Sequence, residues 1–232
     1  MLLAIETSGR VGGVAAADET DGSILAVRRL GGSPRDQAAE LLPAVDALCR
    51  GLGKGPGDIG VVAVSVGPGG FTGLRMGVTF AKSFALATGA CVVAVPSLDV
   101  LAANTPADAE HSAVVLDAKR GEIFTAVFRR TPAGIEKVWA ERVCRPQEML
   151  AAAGRPLLLL GEGLRVHADA LRGEGLVHAP EDLWNADPAV TARMGLQAAA
   201  RGEFADADRL VPVYLRRPEA EEVWAKRYGE GA

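Results

Sequence analysis

Glu6 closes the apolar run "LLAIE" and Asp117 closes the apolar run "AVVLD". Each acid is followed by a turn, "TSGR" after the first and "AKRGE" after the second. In a two-lobed nucleotide clamp, an acid ending the first strand positions metal and phosphate, and the turn beyond it touches phosphate. Thr7 and Ser8 in the first half, with Gly161 and Gly163 after "LLLL" in the second, would be the matching contacts. A plainer role also exists, because turn acids accept hydrogen bonds from nearby backbone amides. For Asp117 this plainer role is preferred, since Asp is a favoured turn residue. Gly161-Glu162-Gly163 either approaches a ligand or makes a tight strand-to-helix turn.

The densest signal is "SVGPGGFTGLRMG", Ser65 to Gly77, centred on Gly67, Pro68, Gly69, Gly70, Phe71, Thr72 and Gly73. Backbone N–H groups at a helix start suit anions, and glycines let a ligand come close. Yet Leu74 and Arg75 follow Gly73, so the P-loop lysine is missing. The spacing Gly67-x-Gly69-x-x-x-Gly73 is one residue too long for a dinucleotide loop. A nucleophile turn fits no better: no G-x-S-x-G occurs, Ser65 precedes the glycines, and no histidine lies near Thr72 in sequence. A nucleotide loop and a nucleophile turn stay as weaker alternatives to the third role, bringing two backbones together.

The helix that follows, Thr72 to Thr88, carries two apolar stripes. Leu74, Val78, Ala81 and Ala85 share one face, and Met76, Phe80, Ser83 and Ala87 share another. Arg75, Thr79 and Lys82 make the only polar ridge. A surface helix shows one apolar stripe. Two stripes mean either a fully buried helix, or one face on its own sheet and the other on a second protein. Both readings stand at this point.

Other chemistry is sparse. His111, His167 and His178 form no i, i+4 pair, so no two-histidine helical metal site is expected. Cys49, Cys91 and Cys144 are odd in number and widely spaced without CxxC, which points to a reducing cytosol rather than a disulfide framework. Net charge is −4, and the arginine pairs are short and scattered, so nucleic-acid binding by this chain alone is not expected. The N-terminus lacks the pattern of a signal peptide, and the longest apolar runs are of strand length, too short to span a membrane.

These residues need elements to hold them. "LLAIE", "VGGVAAAD" and "SILAVRRL" read as three strands. A helix follows over Gln37–Arg50, with Leu41, Leu42, Val45 and Leu48 on one face. "VVAVSV" and "CVVAVP" read as strands covered on both faces. Gly89 is expected to end the glycine-led helix, and Ser97 to cap the next one. The second half begins as the first did: strand, acid, turn, strand, strand, helix occur at Leu2–Arg50 and again at Ala113–Ala153. Such a duplication predicts two facing lobes of one α/β design. The expected division is a first lobe over 1–105, a second over 110–215, and a terminal helix or tail over 216–232.

"LLAIETS", "VSVGPGGFTGLRMGVTFAKSFA", "DAKRGEIFTAVF" and "VPVYLRR", in this order, resemble the TsaB (YeaZ) family over nearly the whole chain. The resemblance implies the ASKHA fold, the duplicated actin-like, ribonuclease H-like α/β architecture of mixed sheets flanked by helices. It implies a role in making N6-threonylcarbamoyladenosine in ANN-decoding tRNA, in the cytoplasm. Members of the family resemble a degenerate copy of TsaD, the transferase that carries a metal-binding histidine pair. They act as non-catalytic scaffolds for TsaD, with the ATPase TsaE joining, and as homodimers when alone. The tRNA is reached only through the complex, no cofactor is required, and ATP or ADP at the partner interface is compatible with the family. The surface carried over comprises Gly67, Pro68, Gly69, Gly70, Phe71, Thr72, Gly73, Arg75, Met76, Thr79, Phe80, Lys82 and Ser83, with Gln37 and Leu41 from the preceding helix. No catalytic or metal-binding residue is implied. Two departures stand out: Glu6 where many relatives have Asp, and Asp36-Gln37 where a His-Ser pair is common. Both would matter to the alternative reading, a stand-alone ASKHA enzyme such as a small-molecule kinase or a metallopeptidase.

Overall fold

The computed structural model describes residues 1–216 and Trp224. Its first sheet is built from β1 (Leu2–Glu6), β2 (Gly13–Ala17) and β3 (Ile24–Arg29). Helix α1 (Pro34–Gly51) leads to β4 (Val61–Gly67), α2 (Phe71–Thr88), β5 (Cys91–Pro96) and α3 (Ser97–Ala102). The strand order is β3-β2-β1-β4-β5, with β1 antiparallel to β2 and parallel to β4. Every residue of β1, β2 and β4 is buried, as expected for strands covered on both faces.

The second lobe repeats this plan. It comprises β6 (His111–Asp117), β7 (Ile123–Thr131), β8 (Gly134–Cys144), α4 (Pro146–Ala152), β9 (Leu157–Leu160), α5 (Leu164–His167) and β10 (Leu176–His178). Its strand order, β10-β9-β6-β7-β8, is the first sheet's order read from the other edge. Again the first strand pairs antiparallel with the next and parallel with the strand after the helix. The duplication therefore extends past Ala153: β9 answers β4, and the glycine turn at 161–163 answers that at 67–70.

The chain then returns. Helix α6 (Pro188–Ala200) packs on β1, β2, β4 and β5 of the first sheet. Leu2, Ala4, Ala15, Ala17 and Ala63 share its cluster, whereas Leu3, Ile5, Val14, Val62 and Val64 pack under α1 and α2. Period-two alternation thus puts small alanines under α6 and branched residues under the other helices. A Cβ on Gly195 would stand 2.4 Å from the Ala63 Cβ, so the helix lies directly on the sheet. The expected lobe over 110–215 therefore holds its own sheet as far as His178, while residues 188–213 pack on the first lobe. Of the expected tail over 216–232, only Arg216 and Trp224 are among the described residues.

Local signals were met with small shifts. α1 begins at Pro34 rather than Gln37, because the Ser33 hydroxyl accepts from the Asp36 amide and Pro34 fills the first turn. Gly89 ends α2 with φ 78°, its N–H reaching the Ala85 carbonyl. Ser97 does not cap α3; its hydroxyl accepts from the Gly67 amide at 3.0 Å instead. Among the described residues, no helix is long and apolar enough to cross a membrane.

Candidate functional site

Glu6 sits at the end of β1 with no solvent exposure. Its carboxylate accepts from the Ser8 amide at 2.9 Å and the Ser8 hydroxyl at 2.5 Å. It also accepts from the Ser65 hydroxyl on β4 and, at 3.1 Å, from the Thr191 hydroxyl on α6. The acid is thus enclosed and supplied with donors by its own chain, including one from 185 residues away. Thr7 and Ser8 are equally enclosed, Thr7 donating its hydroxyl to the Gly73 carbonyl at 2.8 Å. All three side chains are buried and hydrogen-bonded within the chain.

The glycine stretch packs backbone on backbone. A Cβ on Gly69 would lie 2.4 Å from the Ser8 carbonyl oxygen, and one on Gly73 would lie 2.0 Å from that of Thr7. The Gly70 amide donates to the Ser8 carbonyl at 2.7 Å. In the second lobe, a Cβ on Gly161 would lie 2.5 Å from the Val115 carbonyl oxygen, and Gly163 is similarly crowded by 115–117. Gly161 and Gly163 thus make a tight turn over β6, the second of the two roles left open by the sequence.

Asp117 takes the turn role. Its carboxylate accepts from the Lys119 amide at 2.9 Å and pairs with Lys119 Nζ at 2.7 Å, while His167 Nε2 lies 3.1 Å away. Burial alone would favour the neutral acid, but the Lys119 and His167 hydrogen bonds outweigh it and hold the carboxyl below its ordinary value. Lys119 and Arg120 adopt positive φ, 64° and 57°, to make this turn. Among the described residues, no three His, Cys, Asp or Glu side chains gather as a metal-binding group.

One open feature is a groove of about 650 Å³ between α1 and α2. Its walls are Leu41 and Leu42 from α1 and Met76, Thr79, Phe80 and Phe84 from α2. Phe80 and Phe84 stack with centroids 5.7 Å apart. Leu42 is 65% exposed and, on α2, Leu86 is 86% exposed. Of the two stripes, Leu74, Val78, Ala81 and Ala85 are buried on the sheet, whereas Met76 and Phe80 are half-buried and Ser83 and Ala87 exposed.

A sequence model of the TsaD family, tRNA N6-adenosine threonylcarbamoyltransferase, matches residues 32–187. The tRNA threonylcarbamoyladenosine biosynthesis protein TsaB of Bacillus subtilis is 31% identical, over 96% of this chain and 97% of its own length. The chain belongs to the TsaB (YeaZ) family. TsaB of Escherichia coli is 27% identical over 99% of both chains. A solved structure agrees: YeaZ from Pseudomonas aeruginosa superposes with a TM-score of 0.75 at 26% identity, covering 92% of this chain and 99% of its own. With that similarity the ASKHA architecture expected from the sequence is established.

The residues that the TsaB resemblance assigned to one surface do not share one surface here. Met76, Thr79, Phe80 and Ser83 line the groove with Arg75. Pro68, Gly69, Gly70 and Phe71 instead line a cleft of about 500 Å³ facing the 117–119 turn and residues 213–216. Leu41 is largely buried yet walls the groove, whereas Gln37 and Gly73 are enclosed, Gln37 donating to the Gly9 and Arg10 carbonyls rather than facing outward. Lys82 donates to the carbonyls of Asp208 and Leu210, both at 3.1 Å, so it serves its own chain. Phe84 and Leu86 were not foreseen, and Leu42, expected on one apolar face with Leu41, Val45 and Leu48, is 65% exposed and lines the groove instead. Phe84 extends the Phe80 stripe by one turn and was legible by i, i+4 spacing; Leu86 lies off both stripes.

Proposed function

We propose that this chain is a non-catalytic member of the tRNA threonylcarbamoyladenosine machinery that docks a TsaD-type transferase in the α1–α2 groove. The observation that carries the reading is the second apolar face of α2, which its own lobe leaves uncovered. Contiguous exposed apolar surface on a folded protein marks a contact site. The enclosure of Glu6 supports a supporting rather than a chemical role, because the acid a kinase of this architecture would use is already saturated. The names of the TsaB relatives supply the pathway. The physical contribution is preorganisation: a rigid lobe holds the partner's cleft at a productive opening. A TsaE-type ATPase joins the pair, ATP or ADP binds between the partners, and the chain self-associates through the same groove when the transferase is absent. The reading places the protein in the cytoplasm.

The test is titration of the chain with its cognate TsaD-type transferase by calorimetry and gel filtration. A complex that Thr79→Arg abolishes while the melting curve stays unchanged is the expected result. Failure to associate, with or without ATP and a TsaE-type ATPase, overturns the reading.

A further inference from the structure

Residues 208–216 cross from the first lobe to the second, and α2 is their anchorage. Lys82 Nζ holds the Asp208 and Leu210 carbonyls on one side of the helix. At its N-terminal end, Arg75 Nε donates to Tyr214 Oη at 2.9 Å. The Arg75 guanidinium lies 4.0 Å from the Phe71 ring centroid, and Phe71 packs on Tyr214 with centroids 5.3 Å apart. The Val213 amide donates to the Val66 carbonyl at 2.7 Å, at the end of β4. Beyond it, Arg216 pairs with Glu122 and donates to the Ala118 carbonyl, both in the β6–β7 turn.

We propose that residues 208–216 are a strap that couples occupancy of the α1–α2 groove to the position of the second lobe. Arg75 is the joint, because its side chain lines the groove while its guanidinium is held by Phe71 and Tyr214. A partner in the groove meets Arg75 in the one conformation the strap permits. Fastening the strap therefore preorganises the docking face, and docking in turn fastens the strap. Coupling of this kind is reciprocal between the two sites. Arg75 and Arg216 are positioning residues here, and the inference rests on reading the groove as the partner's seat.

Backbone hydrogen exchange of residues 117–122, with and without the cognate TsaD-type transferase, reads the coupling directly. In the wild type, docking slows exchange of that turn by about 5-fold or more. Arg216→Ala, which leaves the groove intact, keeps binding but weakens it by about 5-fold or more and removes the protection of 117–122. Tyr214→Phe, which keeps the ring and loses only the acceptor of the Arg75 bond, moves both readouts the same way by a smaller amount. Binding with protection of 117–122 unchanged by Arg216→Ala overturns the strap and leaves the groove reading standing. Absence of binding by the wild type overturns the groove reading, and the coupling with it.

Discussion

At the scale of single residues, Glu6 is fully buried and accepts four hydrogen bonds. Glu6→Ala would strand the hydroxyls of Ser8, Ser65 and Thr191 in a closed space. Leaving buried donors without an acceptor is expected to cost on the order of 3 kcal/mol, measured by urea unfolding. Loss of stability rather than of a chemical activity is the expected phenotype. Asp117 makes a second prediction, with the sign set by its lowered pKa. An acid depressed in the fold stabilises above its unfolded value, near pH 4, and that stability is lost as pH falls through the lower folded value. Thermal midpoints followed from pH 7 down to pH 3 should therefore fall less steeply in Asp117→Asn than in the wild type. The roles of these two acids were unequally legible. Asp117 bonds to a residue two positions away, so turn chemistry foretold it. Glu6 is completed by Ser65 and Thr191, far off in sequence, and no local pattern announces such partners.

At the scale of elements, α2 decides the case. Its two stripes are readable from 3.6-residue spacing alone. Which stripe meets the sheet is fixed by the glycines: Gly73 and Gly77 sit against Thr7 and so set the helix's rotation. Substitutions at these two kinds of position should separate cleanly. Thr79→Arg, at an exposed groove position, should weaken partner association by at least about 30-fold while circular dichroism melts remain unchanged. Gly73→Ala, whose Cβ would meet the Thr7 carbonyl oxygen at 2.0 Å, should lower the melting temperature and the soluble yield. Gly73 is therefore no probe of the interface, although the sequence placed it there. The inward turn of Gln37 escaped notice for a similar reason: the Gly9 and Arg10 carbonyls it serves lie 28 and 27 positions earlier.

At the scale of the molecule, the two sheets share one topology, and this was legible because each repeats an apolar run, an acid and a turn. The course beyond Gly163 was less legible. β10 is only three residues long, and α6 reads as an ordinary helix whose destination depends on the alanine face of a sheet formed long before it. A fragment of residues 1–105 should therefore fail to fold cooperatively. Without α6, Leu2, Ala4, Ala15, Ala17 and Ala63 are left facing water. Strong binding of an apolar dye and a broad thermal transition are the expected results; a sharp transition would show that the first lobe stands alone.

The late return of α6 also bears on synthesis. A ribosome adds about 5–20 residues per second, so roughly ten seconds separate the emergence of the first sheet from that of the helix that shields it. During that interval the nascent chain offers a flat, small-residue surface to whatever is near. Chaperone contact in the cell should consequently be concentrated before residue 200 is made and fall away once it has left the exit tunnel.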